Sequence, residues 1–327
     1  MFITGPRIVK SVMAEDLTFD QLGGAEIHAK VSGVADLRTK SEDDLFQYTK
    51  KLLSFLPNNN KEKPPWKDTG DDPNRLADTL TNILPADHRK GYDMRQVIRA
   101  IADNGDFLEV KEEFAANMVI GFIRLDGSTV GIIANQPQVL DGRLTGEGSR
   151  KEARHIRFCD CFNIPLLFLV DTPGCQPGQA EEHAGLIHKG GMVLFALAES
   201  IVPRVNLLIR KCYGLGQLNM GVSPALMADF TFAWPSVETG AMEVEQTVDL
   251  FYQQEIAAAE NQTQRRGQLI KELRDKYSNP FDWAFQTPHL HDVIEPRETR
   301  RSLTRAFKLL QSKSVTRQLK RHGNMPL

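Results

Sequence analysis

The sequence lacks the features that mark several large protein classes. No uncharged apolar run approaches the roughly 18 residues of a membrane-spanning helix, and residues 1–20 show no basic start followed by an apolar run. We therefore predict neither a membrane span nor a signal peptide. Charge of one sign is not in excess, because 40 Lys and Arg stand against 42 Asp and Glu, a formal net charge of −2. That balance gives no electrostatic basis for nucleic acid as the main partner.

Cysteine is scarce and its spacing argues against a zinc site. The four cysteines show no Cys-x-x-Cys pairing, and they fall in a stretch that is typical of buried strands and helices. We predict reduced core thiols and a cytoplasmic protein without a bound metal. The eight histidines show no HExxH or other ligand spacing, and we interpret them as structural or surface groups. The cysteines are Cys159, Cys161, Cys175 and Cys212.

Nucleotide and hydrolase motifs are also missing. The run Gly214-x-Gly216-x-x-Asn219 lacks the third glycine of the dinucleotide fingerprint, and no acid follows at the required distance. No GxxxxGK[ST] phosphate loop and no GxSxG nucleophile elbow occur. Dinucleotide, P-loop and α/β-hydrolase functions are therefore not supported.

The 327 residues are enough for about two domains. Residues 1–56 carry a Gly-rich turn and an amphipathic helix predicted over 41–56, with Ser41 as its N-cap. The polar, proline-rich stretch that follows is typical of a linker. We predict a partial first domain at 1–56, a linker at 57–90 and a complete second domain at 91–327.

The second domain shows the pattern of an α/β protein. Two strands joined at Asp126-Gly127 predict a hairpin. The near-continuous apolar strand 164–174 indicates a sheet covered on both faces. Helices are predicted at 93–105, 149–163, 190–203 and 298–313, a largely helical charged region at 251–276, and further strands at 204–214 and 230–235.

Two buried strands each end in a Gly-rich turn, Asp171–Gly178 and Cys212–Gly221. Such turns can aim backbone N–H groups at a developing oxyanion. A Gly-rich turn after a strand is more often a plain connection, so spacing alone leaves both interpretations open.

Nine segments in order resemble the carboxyltransferase (β) subunits of biotin-dependent acyl-CoA carboxylases, of the propionyl-CoA and methylcrotonyl-CoA carboxylase type. They are MFITGP (1–6), QLGGAEIHAKVSGV (21–34), VGIIANQP (130–137), FCDCFNIP (158–165), LVDTPGCQPG (169–178), VPRVNLLIRKCYGLG with AWP (202–216 and 233–235), DVIEPRETR (292–300) and HGNMPL (322–327).

The resemblance implies a crotonase-type ββα superhelical fold and carboxyl transfer between carboxybiotin and the α-carbon of an acyl-CoA. Its partners would be a biotin carboxylase, a biotin carboxyl carrier subunit and further copies of the chain. The family's biotin-side oxyanion turn matches Tyr213–Gly216, so Gly214, Leu215 and Gly216 are the expected catalytic positions. The substrate-binding positions that we carry over are Asp171, Gly174, Gly190, Gly191, Tyr213, Leu218 and Met242.

The chain departs from the family pattern at several places. The family's Ala-Gly-Gly enolate turn precedes the MFITGP segment, so we expect another polypeptide to supply it. Leu218 stands where the family has an acid that lines the acyl pocket, and Met192 where a Lys is usual. The stretch Met242–Thr247 lacks two glycines near the biotin site.

Three hypotheses follow from these departures. The first is an active carboxyltransferase that works as an oligomer with a partner chain. The second is an acyl-CoA decarboxylase subunit that uses the same turns. The third is a truncated, non-catalytic structural partner.

Overall fold

The computed structural model describes residues 1–222, 226, 228–277, 279–281, 290–316 and 323. Within these ranges the chain builds one mixed sheet with helices packed on both of its faces. The strands are β1 (Phe107–Val110), β2 (Met118–Leu125), β3 (Ser128–Asn135), β4 (Leu166–Thr172), β5 (Arg204–Tyr213), β6 (Phe230–Ala233), β7 (Glu238–Gly240) and β8 (Asp292–Val293).

Helices occupy the N-terminal segment, the connections between strands and the last described part of the chain. They are α1 (Pro6–Met13), α2 (Phe19–Gly23), α3 (Glu42–Leu53), α4 (Met94–Ile101), α5 (Gly146–Cys161), α6 (Gln179–His183), α7 (Leu186–Glu199), α8 (Gly214–Asn219), α9 (Val244–Phe251), α10 (Gln253–Ala258), α11 (Gln262–Tyr277) and α12 (Thr299–Leu309).

The sheet has the order β1-β2-β3-β4-β5-β6-β8, and β7 pairs with the end of β5. The first three strands run antiparallel, whereas β3, β4, β5, β6 and β8 run parallel. The predicted hairpin is confirmed, since Leu125 pairs with Ser128. Asp126 and Gly127 both take positive φ, 49° and 73°, as a two-residue hairpin turn requires. Because β3, β4, β5, β6 and β8 run in the same direction, their carboxyl ends lie at one edge of the sheet.

Apolar side chains fill both faces of the central strands, which confirms the prediction of a doubly covered sheet. On one face, Phe168 of β4 packs in a cluster with Ile156 of α5 and Val193 of α7. On the other face, Leu167 packs in a cluster with Val97 of α4 and Leu303 of α12. Every residue of β4 is buried, because alternate side chains enter opposite cores.

Capping residues explain where several helices begin. Ser41 caps α3 as predicted, and its side chain accepts from the Asp44 N–H. Helix α5 begins at Gly146, earlier than the predicted residue 149, because the Thr145 side chain accepts from the Gly148 N–H at 3.0 Å. Predicted ends were less accurate: α4 ends at Ile101 rather than 105, α7 covers 186–199 rather than 190–203, and α12 covers 299–309 rather than 298–313.

The four cysteines are free thiols, as predicted. The prediction that they belong to the core is confirmed for Cys159 and Cys212, which are buried, and wrong for Cys161, which is exposed on the last turn of α5. Cys175 is half-buried. Of the histidines, His155 is buried and the His291 ring accepts from the Thr231 N–H at 3.0 Å, while His289 and His322 lie outside the described residues.

The segment predicted as a linker, residues 57–90, has no β-strand and no α-helix but lies against the second domain. Leu80 is buried, and the Ala77 N–H donates to the Arg297 carbonyl at 2.8 Å. The Asn163 side chain holds the start of the segment by donating to the carbonyls of Asn60 and Glu62. The domain boundaries themselves stay a prediction.

A buried ion pair joins the last helix to the hairpin. Arg300 of α12 is fully buried and contacts the Asp103 carboxylate at 2.8 Å. That carboxylate also accepts from the N–H groups of Asp126 and Gly127 and from the Thr69 hydroxyl. One carboxylate with four donors therefore fixes three parts of the chain together.

The N-terminal segment exposes apolar side chains to an unusual degree. Helix α1 has no buried residue, and Val12 and Phe19 are 73% and 69% exposed. The longest helices that the structure describes have 16 residues, so no described helix reaches the length and apolarity of a bilayer span. We call the exposed apolar side chains of this segment the N-terminal apolar face: Met1, Ile3, Ile8, Val12, Met13, Phe19 and Val31.

Candidate active site

The two Gly-rich turns singled out in the sequence meet at the edge where the parallel strands end. The β4 turn, Asp171–Gly178, contains the end of β4, and the β5 turn, Cys212–Gly221, contains the end of β5 and helix α8. A Cβ atom on Gly216 would lie 2.8 Å from the Gly174 Cα, closer than real Cβ contacts. Glycine at 216 thus lets the two backbones touch, and the turns form one surface.

The backbone of the β5 turn changes direction at Gly214. This residue has φ +55°, a left-handed conformation that favours glycine, and it opens α8 directly after the extended Tyr213. The first N–H groups of a helix have no carbonyl partner within the helix. Leu215 lies among them and is 42% exposed, so this part of the turn faces the surface. The turn therefore offers backbone donors that its own helix does not use.

Tyr213 points away from these donors. Its side chain is 1% exposed, and its hydroxyl donates to the Glu238 carboxylate at 2.9 Å. Burial and the neighbouring Glu238 charge raise the pKa of Tyr213 well above its ordinary value. The backbone of Tyr213 pairs with Gly240 of β7, and its hydroxyl bonds Glu238 of the same strand. Tyr213 therefore holds the end of β5 against β7. Its observed contacts are those of a positioning residue.

Leu218 and Met242 are both half-buried near the β5 turn. Leu218 lies on α8, two residues after Gly216. Met242 follows β7, and its carbonyl lies 3.4 Å from where a Gly240 Cβ would be. The Gln217 side chain donates to the Gly240 carbonyl at 3.4 Å and connects α8 to this loop.

The Asp171 side chain at the start of the β4 turn is buried against β5 and does not reach the surface. Its side chain is fully buried, forms an ion pair with Arg210 at 3.2 Å and accepts from the Lys211 N–H at 3.1 Å. Burial raises the pKa of Asp171, and the positive charge of Arg210 opposes that rise. The carboxylate thus ties the β4 turn to β5.

The two glycines of α7 have different surroundings. Gly190 is buried, and a Cβ there would lie 3.3 Å from the Asn219 side-chain nitrogen at the end of α8. Gly191 has open space on the side where a Cβ would project. The structure therefore brings Gly190 to the β5 turn and leaves Gly191 facing outward.

Asn219 was missed by the sequence reasoning. It is fully buried at the end of α8, and neither polar atom of its amide has a hydrogen-bond partner among the described residues. An unsatisfied buried amide costs about 1–3 kcal/mol, which makes it a candidate ligand-facing group. The signal available in the sequence was a polar residue within the Gly-rich stretch that follows β5.

A group of charged side chains beside the turns was also missed. Lys211 of β5 contacts Asp141 at 2.6 Å and Glu243 at 3.1 Å, and Arg143 contacts the same Glu243 at 3.4 Å. The signal was present as two adjacent basic residues, Arg210 and Lys211, directly after the apolar run Leu207–Ile209 of β5. These ion pairs hold the loop after β3 and the start of α9 against the β5 turn.

No cluster of three or more His, Cys, Asp or Glu side chains with metal-binding geometry occurs in the described part of the chain. The chemistry that the site can offer rests on backbone N–H donors at the turns and on the buried groups that fix them. Preorganised backbone donors of this kind are one way in which proteins stabilise an oxyanion.

Comparisons with known proteins identify the class. The carboxyl transferase domain family matches residues 1–325, so the chain belongs to that family. Among curated relatives, it is 45% identical to the propionyl-CoA carboxylase carboxyltransferase subunit of Haloferax mediterranei, over 100% of this chain and 63% of the relative. It is 41% identical to the methylmalonyl-CoA decarboxylase subunit alpha of Veillonella parvula, over 100% of this chain and 62% of the relative.

A solved structure shows the same fold. The transcarboxylase 12S crystal structure, a hexamer with methylmalonyl-coenzyme A and methylmalonic acid bound, is 42% identical with a TM-score of 0.93, and the match covers 100% of this chain and 62% of that one. The predicted crotonase-type fold and the suspected family are thereby confirmed. The chain spans about 63% of the length of the curated relatives that it matches.

Proposed function

We propose that the chain carries the biotin side of a biotin-dependent acyl-CoA carboxyltransferase, which moves a carboxyl group between carboxybiotin on a carrier protein and the α-carbon of an acyl-CoA. The observation that carries the proposal is the joined pair of turns, in which Gly216 packs on Gly174 and the exposed Leu215 lies in the first turn of α8. Relatives named as propionyl-CoA carboxylase subunits support the reaction class.

The residues present fit a ureido group. Such a group offers one oxygen acceptor, and the β5 turn offers N–H donors of Gly214, Leu215 and Gly216 that the helix itself does not use. Carboxybiotin, when bound, supplies the carboxyl group and a ureido oxygen on which negative charge collects. The turn would donate hydrogen bonds to that oxygen, and one such donor contributes about a hundredfold to a thousandfold in rate.

The other predicted site residues then have positioning or lining roles. Asp171 ties the β4 turn to β5 through Arg210, and Tyr213 anchors the end of β5 to β7. Leu218 and Met242 would make the surface beside the β5 turn apolar, which favours an acyl group without a charge at that position. Gly190 permits the close approach of α7 to Asn219.

Partners belong to the proposal. The N-terminal apolar face exposes several large side chains, a pattern that marks a protein interaction site. We propose that a polypeptide carrying the acyl-CoA side covers this face, that residues 1–56 belong to the acyl-CoA-side domain, and that the assembly works with a biotin carboxylase and a biotin carboxyl carrier subunit. Four free thiols fit a cytoplasmic location.

The experiment is a native purification of the chain from its source cells, with mass spectrometry and a biotin blot. The purified assembly is then given labelled bicarbonate, ATP and a panel of acyl-CoA thioesters. Label in an acyl-CoA product supports carboxyl transfer. An assembly without a biotinylated carrier and without transfer would favour the non-catalytic alternative and contradict the proposal.

A decarboxylase subunit is the second candidate, because the chain is also 41% identical to a methylmalonyl-CoA decarboxylase subunit. The same assembly distinguishes the two directions. Release of labelled carbon dioxide from methylmalonyl-CoA without ATP, and without carboxylation of propionyl-CoA, would identify decarboxylation as the physiological reaction.

A further inference from the structure

A basic cavity lies at the edge of the sheet opposite the candidate active site. Its volume is about 540 Å³, within the size range of small-molecule pockets. Its floor is made of residues that start the parallel strands, such as Ser128 of β3 and Pro165 before β4, and α12 and residues 61–66 form its walls. Since β4 has seven residues, roughly 20 Å separate this edge from the β4 turn.

Charge is the first property that suggests a ligand. Four lysines line the cavity against one aspartate, Asp126. Lys313 is neutralised by Asp229 at 2.8 Å, whereas Lys61, Lys63 and Lys308 have no acidic partner within 4 Å among the described residues. Three lysines without acids around one cavity produce a local positive field in a chain whose net charge is −2. The lining lysines are Lys61, Lys63, Lys308 and Lys313.

The wall that carries two of these lysines is held in place. Asn163, just before β4, donates to the carbonyls of Asn60 and Glu62 at 2.9 and 2.8 Å. Lys63 donates to the Gln311 carbonyl at 3.1 Å and connects this wall to the end of α12. The cavity is therefore framed by hydrogen bonds, and its positive charges are not compensated by them.

Two further groups line the cavity, an aromatic ring that suits an organic anion and a hydroxyl without a partner. Trp66 lines the cavity, is 64% exposed, and is oriented by its indole N–H, which donates to the Asp126 carbonyl at 2.8 Å. An oriented, exposed indole offers a stacking surface for a flat group. The Thr304 hydroxyl also lines the cavity, is buried, and has no hydrogen-bond partner among the described residues.

We propose that the basic cavity binds a small organic anion, a phosphate monoester carried on a flat ring system, at a site separate from the turns. The three lysines without acidic partners receive the phosphate, and the Trp66 ring stacks on the flat group. The ligand class is that of a nucleoside monophosphate, and the site is independent of the proposed carboxyl transfer.

The test is isothermal titration of the full chain with adenosine 5′-monophosphate, adenosine and inorganic phosphate at low salt. We expect the monophosphate to bind at least tenfold more tightly than either fragment, because only it engages both the lysines and the indole. Raising the ionic strength should weaken its binding. Equal, fragment-like binding of all three probes, or no binding of the monophosphate, overturns the proposal.

Matched variants locate the binding. Lys308→Glu should weaken monophosphate binding about tenfold or more, since it replaces a phosphate-binding positive charge with a negative one. Lys271→Glu, the same change on the exposed surface of α11 outside the cavity, should leave affinity unchanged. Trp66→Leu should weaken the monophosphate but not inorganic phosphate. Equal affinities of the two lysine variants, with unchanged melting temperatures, would place the ligand elsewhere and refute the site.

Discussion

The carboxyl group of Glu152 gives a stability prediction with a distinctive pH dependence. Glu152 lies on α5, is fully buried, and neither carboxyl oxygen has a hydrogen-bond partner among the described residues. The hydroxyl of Ser149, one turn earlier on the same helix, is likewise buried and unpartnered. Burial without a partner raises the pKa of Glu152 well above its ordinary value of 4.5, so the folded protein holds the neutral acid.

The magnitude follows from proton linkage. The unfolded chain releases the Glu152 proton above pH 4.5, whereas the folded chain keeps it, so the unfolded state gains relative stability as pH rises. Each pH unit between 4.5 and the raised pKa of the folded state is worth about 1.4 kcal/mol, so the loss of stability grows with every unit of pH in that range. Glu152→Gln has nearly the same shape and no proton to lose, so its stabilising effect should be small at pH 4 and grow by about 1.4 kcal/mol per pH unit above 4.5 while the folded chain keeps the Glu152 proton.

The assay is urea unfolding of the wild-type chain and the Glu152→Gln variant at pH 4, 5, 6 and 7. Glu260→Gln, on the exposed loop between α10 and α11, is the control and should change stability by less than about 0.5 kcal/mol at every pH. A gain from Glu152→Gln that does not grow with pH, or no gain at pH 7, would refute the reasoning and indicate that the carboxylate is paired in solution.

The remaining predictions concern the hairpin ion pair, a buried histidine and the joined turns. Arg300→Met should cost about 3–5 kcal/mol in urea unfolding because it removes the cationic partner of the buried Asp103 carboxylate. Arg301→Met, at the half-buried next position, should cost less than about 1 kcal/mol. Similar losses would contradict the role of the buried pair. Burial lowers the pKa of His155 to about 4, so the unfolded chain alone takes up a proton between pH 6.5 and 4, and stability should fall through that window by up to about 3 kcal/mol. In the same pH series, His155→Asn should lose less unfolding free energy between pH 6.5 and 4 than the wild-type chain. An equal loss would show that His155 already carries its proton when folded. Gly216→Val should disrupt the contact with the β4 turn and abolish carboxyl transfer. Gly191→Ala should be tolerated or stabilise α7 by up to about 1 kcal/mol. Carboxyl transfer by Gly216→Val at the wild-type rate would show that the contact is not needed for function.

Much of the fold was predictable because its elements carry local signals. The apolar run of β4 indicated a strand covered on both faces, and the Asp-Gly pair indicated the hairpin. Ser41 marked the start of α3. The errors lie at helix ends, where competing local patterns decide the boundary: α5 begins early because Thr145 provides a cap, and α4 stops at Ile101, where the chain continues as a short 3₁₀ turn.

The site was predictable only in part, because contacts between distant segments leave no periodic pattern. The resemblance to known carboxyltransferases indicated the β5 turn, but the approach of Gly216 to Gly174 depends on how α8 folds back. Asp171 was expected in substrate binding, yet it is buried against Arg210, because a charge in a buried strand needs a partner there. Lys211 contacts Asp141 and Glu243, which lie 70 and 32 positions away in the chain, so sequence spacing could not predict this group.

The central claim is that backbone N–H donors of the β5 turn act on the biotin side of carboxyl transfer. Its most direct test is the transfer rate of the reconstituted assembly with Leu215→Pro, which removes one N–H, beside Leu215→Ala, which keeps it and trims the same exposed side chain. We expect the transfer rate to fall about a hundredfold or more in the proline variant and to stay near the wild-type rate in the alanine variant. Equal rates in both variants, with the assembly intact, would contradict it.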